Sequence, residues 1–316
     1  HVGAQIQEAG SCVMPARLFF DIVRKLPDEM VSITVDHKQQ VSIRAGAAFF
    51  QITAMDSEDY PELPDVNGKS GVTMPQSALK AMISGTIFSV SENQARPIQT
   101  GCLMEVTEDS VTMVAVDSFR LARRTWHTEN AANHTLKFVV PAAGLKEIER
   151  ILEDSDEPVT FTLGDKHILF SIGDALLVSR VLEGEFIDWR RVVPTNCGTV
   201  LTANVAELTS SIERVSLIIS EKVKSPVRCV FGDNMADFRT ANTIGSAHDT
   251  CSIAGNGGEL EIGFNSRYLL DALRVIPSEE VTLELQNGLS PIVFTPCDKK
   301  YDFAYMVLPV RLRSNS

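Results

Sequence analysis

Cysteine, histidine and tryptophan are sparse in this 316-residue chain: 6 Cys, 6 His and 2 Trp. Cys12, Cys102, Cys197, Cys229, Cys251 and Cys297 form no Cys-x-x-Cys pair and have no His at ligand spacing. That argues against a zinc site or redox dithiol and leaves buried free thiols as the default. No apolar run approaches the roughly 18 residues a membrane helix needs. No basic stretch followed by an apolar one marks an export signal, so the chain reads as cytoplasmic, with no membrane partner. Also missing are the G-x-S-x-G elbow, the G-x-x-x-x-G-K-[ST] loop and the H-E-x-x-H helix, and with them any indicated catalysis. Gly255-Asn256-Gly257-Gly258 reads as a turn rather than a phosphate cradle, and Glu153 to Pro158 as a solvated loop. No cofactor or metal is expected. Positive charge is in deficit too, with 29 Lys+Arg against 41 Asp+Glu and a net charge of −12. Such a chain does not hold nucleic acid tightly by overall electrostatics.

What is present is ordinary in amount and unusual in order. A hydrophobic content of 44% supports a normal core, and the length suits two to three domains. One helical signature recurs five times, starting at Pro15, Pro75, Pro141, Ala203 and Asn265, at intervals of about 62 residues. Pro suits a helix start because its missing N–H has no intrahelical partner to lose. Between the helices, apolar and polar residues alternate as in half-buried strands. Val31 to Val35, Val111 to Val116, Val159 to Leu163, His167 to Ile172 and Val227 to Phe231 read this way, with turns at Glu108-Asp109-Ser110, Gly164-Asp165-Lys166 and Gly232-Asp233-Asn234. Alternate helices are more alike than neighbours, so two periods make one larger unit of about 125 residues. Polar linkers at Asn67 to Gly71 and Thr195 to Thr199 set domains of 1–68, 69–197 and 198–316.

The helices are two-faced. Leu269, Leu273 and Ile276 form a core stripe in the fifth, and Phe19, Ile22 and Leu26 one in the first. The other faces carry Arg267, Asp271 and Arg274, and Arg17, Asp21 and Arg24. Solvation alone accounts for such a face in any one helix. Across helices, Arg24, Arg150 and Arg274 share one offset, joined by Lys80 on the second helix, Lys146 on the third and Arg214 on the fourth. A surface lined by all of them would be locally positive and would meet a duplex weakly, through phosphates and without sequence preference.

Three motifs, Asp117-Ser118-Phe119-Arg120-Leu121-Ala122, Glu183 to Pro194 (EGEFIDWRRVVP) and Tyr305 to Leu312 (YMVLPVRL), together with the repeats, resemble the bacterial DNA sliding clamp family. The resemblance implies an α+β DNA-clamp fold: repeated βαβββ half-domains, helices lining the inside and antiparallel sheets outside. It implies a head-to-tail homodimeric ring around double-stranded DNA, and partners that include the replicative polymerase, the clamp loader and repair proteins. Six helices belong to that pattern and the missing one would fall before residue 1, so the chain is expected to lack the first half of the first domain, with 1–68 as its second half only. The family's pocket for short linear motifs carries over to Val116, Ser118, Phe119, Arg120, Leu121, Ile187, Arg191, Val192, Asn265, Tyr268, Leu289, Met306, Leu308, Pro309, Val310 and Arg311. Ser118 stands where the family usually has Gly, Val116 where Thr is common and Ile187 where Pro is frequent, which alters the rim. Leu308 and Val310 are expected on one face of a final strand, forming an apolar depression with Leu121 and Val192. The ring contact would match Ile22, Leu26, Phe50 and Ile52 on one side and Leu217 and Ile218 on the other, with ordinary core as the competing reading.

Overall fold

The structure, a computed structural model, describes residues 3–27, 30–60, 66, 71–129, 135–220 and 225–312. The expected boundary at 68/69 and most of the Asn67 to Gly71 linker lie outside these residues. The chain divides into two compact units, His1–Asp65 and Val66–Ser316.

In the first unit, helix α1 (Ala16–Val23) accompanies an antiparallel sheet in the order β1 (Ser32–Val35), β2 (Gln40–Ala45), β3 (Ala48–Thr53). The register pairs Val41 with Ile52 and Ile43 with Phe50, so these four side chains share a face. Ile22, Val41, Ile43 and Ala54 are buried there, and Phe19, Leu26, Phe50 and Ile52 pack against them. Phe20, Ile33, Val35 and Phe49 are exposed.

The second unit begins with β4 (Gly71–Pro75), α2 (Gln76–Ser84), β5 (Gly101–Val106), β6 (Ser110–Val116), β7 (Arg120–His127), β8 (Leu136–Pro141), α3 (Ala142–Ile151), β9 (Pro158–Leu163), β10 (His167–Ile172) and β11 (Ala175–Arg180). It continues with β12 (Thr199–Asn204), α4 (Val205–Ser216), β13 (Val227–Ala241), β14 (Ser246–Phe264), α5 (Ser266–Leu273), β15 (Glu280–Leu285), β16 (Ile292–Pro296) and β17 (Phe303–Val307). Pro15, Pro75 and Pro141 each stand just before their helix, in extended backbone, where a fixed φ leads the chain in. Helix α4 starts later than Ala203, because Ala203 and Asn204 finish β12. The Asn204 side chain then caps the helix by accepting from Glu207 N at 3.0 Å.

Four strands form one sheet, β11-β10-β9-β4, and ten form another, β13-β14-β12-β15-β16-β17-β7-β6-β5-β8. The decisive join is β17 to β7, antiparallel from Phe303 opposite Arg124 to Val307 opposite Arg120. It fuses residues from both later repeat units into one sheet. Strands near this join are buried on both faces. Cys102, Met104 and Val106 face the core under α2 and α3, while Leu103 faces the opposite way. Likewise Phe303, Tyr305 and Val307 enter the core under α4 and α5, and Ala304 and Met306 the opposite one. That opposite face is covered by the 182–193 segment through Leu182, Phe186, Trp189, Val192 and Val193.

Two expected turns prove to lie inside long strands. Gly232-Asp233-Asn234 interrupts the register within β13, and Gly255 to Gly258 sits opposite it in β14. Asn234, Gly255 and Gly258 have positive φ, the signature of bulged strands rather than of a reversal. A Cβ on Gly257 would lie 2.3 Å from the Phe231 carbonyl oxygen, so only glycine permits this approach. The expectation of buried thiols also needs correction: Cys102, Cys229 and Cys251 are buried, whereas Cys297 is exposed.

Candidate functional site

The three motifs converge at the β17/β7 join. Val116 pairs with Leu121 and Leu121 with Met306, giving three apolar side chains side by side. They are 4%, 1% and 3% exposed, with Val192 packed on the same cluster. Leu121 is therefore core beneath the site, not the wall of an open depression. The final strand also ends earlier than expected, at Val307. Leu308, Pro309 and Val310 continue beyond it, held by their backbone: Leu308 N donates to Phe119 O at 2.8 Å and Val310 N to Gly263 O at 2.7 Å. Leu308 and Val310 remain 36% and 40% exposed, above a buried floor.

Phe119 is the outward residue of the tight bend between β6 and β7. Asp117 builds that bend, its Oδ1 accepting from Phe119 N at 2.7 Å and Arg120 N at 2.9 Å. The Phe119 ring stacks on Tyr268 of α5 at 5.7 Å. Beneath them Arg120 is almost wholly buried. Its Nε meets Asp117 Oδ2 at 3.0 Å, its Nη1 meets Asp271 Oδ2 at 2.6 Å, and its guanidinium lies 4.5 Å from the Tyr268 ring centre. Burying a guanidinium requires such pairing. Asp271, read from sequence as part of a solvated face, instead ties α5 to β7.

Ser118, Ile187 and Arg191 are exposed, and Arg191 pairs with Asp188 at 3.1 Å. Arg311 is exposed. Asn265 is committed locally, its Oδ1 accepting from Arg267 N at 3.0 Å as the α5 cap. Leu289 is 76% exposed in the β15–β16 connection and lies outside the buried cluster.

Sequence reading missed Glu105, a carboxylate in the buried strand β5. Trp189 Nε1 donates to it at 3.3 Å, Arg190 Nη2 at 2.8 Å, and Lys137 Nζ lies at 3.5 Å. Burial pushes its pKa up, but the Arg190 bond and charge, the Trp189 bond and Lys137 more than offset this and hold it below the usual value. The signal was available: a lone acid amid Cys-Leu-Met and Val needs a partner.

Of the basic helix residues, Lys80 pairs with Asp154 at 3.0 Å, Arg150 with Glu147 at 2.7 Å, Arg274 with Glu213 at 2.8 Å, and Arg214 with Asp249. Lys146 is exposed and makes no ion pair among the described residues. Arg24, in the first unit, is exposed as well. Glu147, Glu149, Glu207, Glu213 and Asp271 intersperse with these cations, so the helices are of mixed sign rather than evenly basic. Ile22, Leu26, Phe50 and Ile52 belong to or pack on the first unit's core, which favours the core reading over the ring contact for Ile22 above all. Leu217 is 82% exposed, while Ile218 is half-buried and accepts from Asn242 Nδ2 at 2.8 Å.

Family models agree with this layout. The DNA polymerase III beta subunit matches through its N-terminal domain at residues 1–64, its central domain at 73–188 and its C-terminal domain at 190–311. The chain belongs to the bacterial β sliding clamp family. The Staphylococcus epidermidis beta sliding clamp is 31% identical over 309 residues, covering 97% of this chain and 81% of that protein. The solved Bacillus subtilis clamp superposes with a TM-score of 0.92 at 30% identity, over 98% of this chain and 82% of that one. A Pseudomonas aeruginosa clamp solved with griselimycin bound gives 0.90 at 29%, over 97% and 84%. This clamp thus has the α+β fold of its family, and it is a DNA sliding clamp of the replicative polymerase. No helix among the described residues is long and apolar enough to cross a membrane.

Proposed function

We propose that the clamp closes head to tail with a second copy around duplex DNA in the cytoplasm. There it acts as a non-catalytic tether, holding the polymerase, the clamp loader and repair proteins through one peptide site. The observation that carries the peptide site is the meeting of Leu308 and Phe119 across the β17/β7 join, Leu308 N on Phe119 O at 2.8 Å. Half-exposed Leu308 and Val310, with the Phe119–Tyr268 stack, offer apolar anchorage to a Leu- or Phe-bearing motif, and Arg191 and Arg311 supply polar rim groups. The 1–68, 69–197 and 198–316 divisions serve as its three clamp domains. Double substitution of Leu308 and Pro309 by Ala should weaken a Leu/Phe-containing clamp-binding peptide by ~1–3 kcal/mol in calorimetry. Unchanged affinity with an unchanged melt would remove the assignment.

A further inference from the structure

At the other end of the β17/β7 join from Phe119 lies a cleft of about 540 Å³, in the size range of small-ligand sites. One wall comes from α2 and the end of β7, with Arg124 and Trp126; the other is the turn before β17, with Lys299, Lys300 and Tyr301. None of these residues belongs to the peptide site or to the basic helix positions.

The charges in the cleft do not balance. Of its two acids, Asp302 is paired with Arg123 Nη2 at 2.6 Å and His127 Nε2 at 2.8 Å, while Asp298 accepts from the backbone N–H of Lys300 at 2.9 Å and keeps its charge. Arg124, Lys299 and Lys300 make no ion pair among the described residues. Three cations thus face one uncompensated carboxylate, Asp298, a local positive excess in a chain of net charge −12. Arg124 runs close past Gly85, where an added Cβ would lie 2.9 Å from its Cδ. The buried Tyr305 hydroxyl, which lacks a hydrogen bond of ordinary geometry, feels its charge. Trp126 packs on the core under α2 and α3 and Tyr301 on the core under α4 and α5, so both rings are anchored from behind.

Cations interleaved with anchored aromatic rings suit a polyanion whose repeating unit carries a flat ring. An acidic peptide uses the cations but leaves the rings idle, and a duplex keeps its bases stacked away from them. We infer that this cleft binds a short stretch of single-stranded DNA, with phosphates on Arg124, Lys299 and Lys300 and a base against Trp126 or Tyr301. The inference needs neither ring closure nor the peptide site.

The test titrates the full chain with a ten-nucleotide oligothymidylate at low salt, reading anisotropy of the labelled oligonucleotide and tryptophan emission. Binding should quench the tryptophan signal, and Trp126→Phe should abolish that quench, leaving Trp189 to report none. The pair Lys299→Glu and Lys300→Glu, on an exposed turn, should weaken binding about tenfold or more, and Arg124→Gln should weaken it without reversing charge. Clamp-binding peptide affinity should stay unchanged in all three, showing that the fold survives. The inference is overturned if the lysine variant binds as the parent does, or if the quench persists in Trp126→Phe. Equal competition by a duplex of the same length, by pyrophosphate or by polyglutamate would overturn it too, leaving only a general anion site.

Discussion

Arg120 Nη1 donates to Asp271 Oδ2 at 2.6 Å, joining β7 of one repeat unit to α5 of the next beneath the Phe119–Tyr268 stack. The two side chains are 9% and 23% exposed, so the pair is largely out of water. Removing one member of a buried pair leaves the other uncompensated, at ~3–5 kcal/mol. Here Asp117 remains on Arg120 and Asp271 keeps some solvent, so Asp271→Ala should cost less, ~1–3 kcal/mol, in urea unfolding of the second unit. The same variant should weaken clamp-binding peptides, because Arg120, tied by Asp117 alone, is less firmly held against the Tyr268 ring on which Phe119 stacks. Normal stability and normal peptide affinity together would show that Asp117 alone holds Arg120.

This pair marks how far the sequence was legible. Periodicity placed all five helices and, of the seventeen strands among the described residues, β1, β6, β9, β10 and the start of β13, since amphipathic stripes are local in sequence. The role of Asp271 is not legible in sequence, because its partner lies far away in the chain, at residue 120, and an Arg-x-x-x-Asp face looks solvated in isolation. The bulges at Asn234 and Gly255 look like turns in sequence because glycine and asparagine signal positive φ without saying whether the chain reverses. Several site residues carried by the family resemblance lie at one join, Leu289 stands apart from it, and Leu121 and Asn265 have structural duties as core and cap. Glu105 was overlooked because its meaning depends on Trp189 and Arg190, which only the covering segment brings to it.

Glu105 gives a pH prediction with a definite sign. Its folded pKa lies below the ordinary 4.5, so the stability it contributes is fully present above that value and is lost as pH falls through the folded pKa. Asp302 acts in the same direction: burial raises its pKa, but Arg123 and His127 outweigh burial and hold it below 3.8. The stability gap between parent and Glu105→Gln, read as urea midpoint, should therefore be constant from pH 7 to about 5 and narrow as pH falls further. A gap that widens on acidification would contradict the assigned partners.

Self-association should depend on the exposed side of the ring contact rather than on the first unit's core. Leu217→Asp alters a residue 82% exposed, so it should leave the melt of the chain unchanged while shifting sedimentation towards monomer. Ile22→Asp places a charge among Val41, Ile43 and Ala54 and should instead unfold the first unit. Sedimentation of Leu217→Asp identical to the parent's would remove Leu217 from the contact.

The helix cations should differ in what they give to DNA. Arg150, Arg214 and Arg274 already face Glu147, Asp249 and Glu213, and a cation sharing its charge with a carboxylate gains less from a phosphate. Lys146, like Arg24, is exposed without an ion pair among the described residues, so it is freer than the paired arginines to release counterions on contact. Lys146→Glu should reduce loading onto DNA more than Arg150→Glu, and should lower the slope of log affinity against log salt by about one unit. Both variants should bind peptide normally and show no base preference, since phosphate contacts carry no sequence information directly. If Arg150→Glu proves the more damaging across a salt titration, Glu147 gives way when DNA arrives, and the shared offset of Arg24, Arg150 and Arg274 marks the principal phosphate contacts.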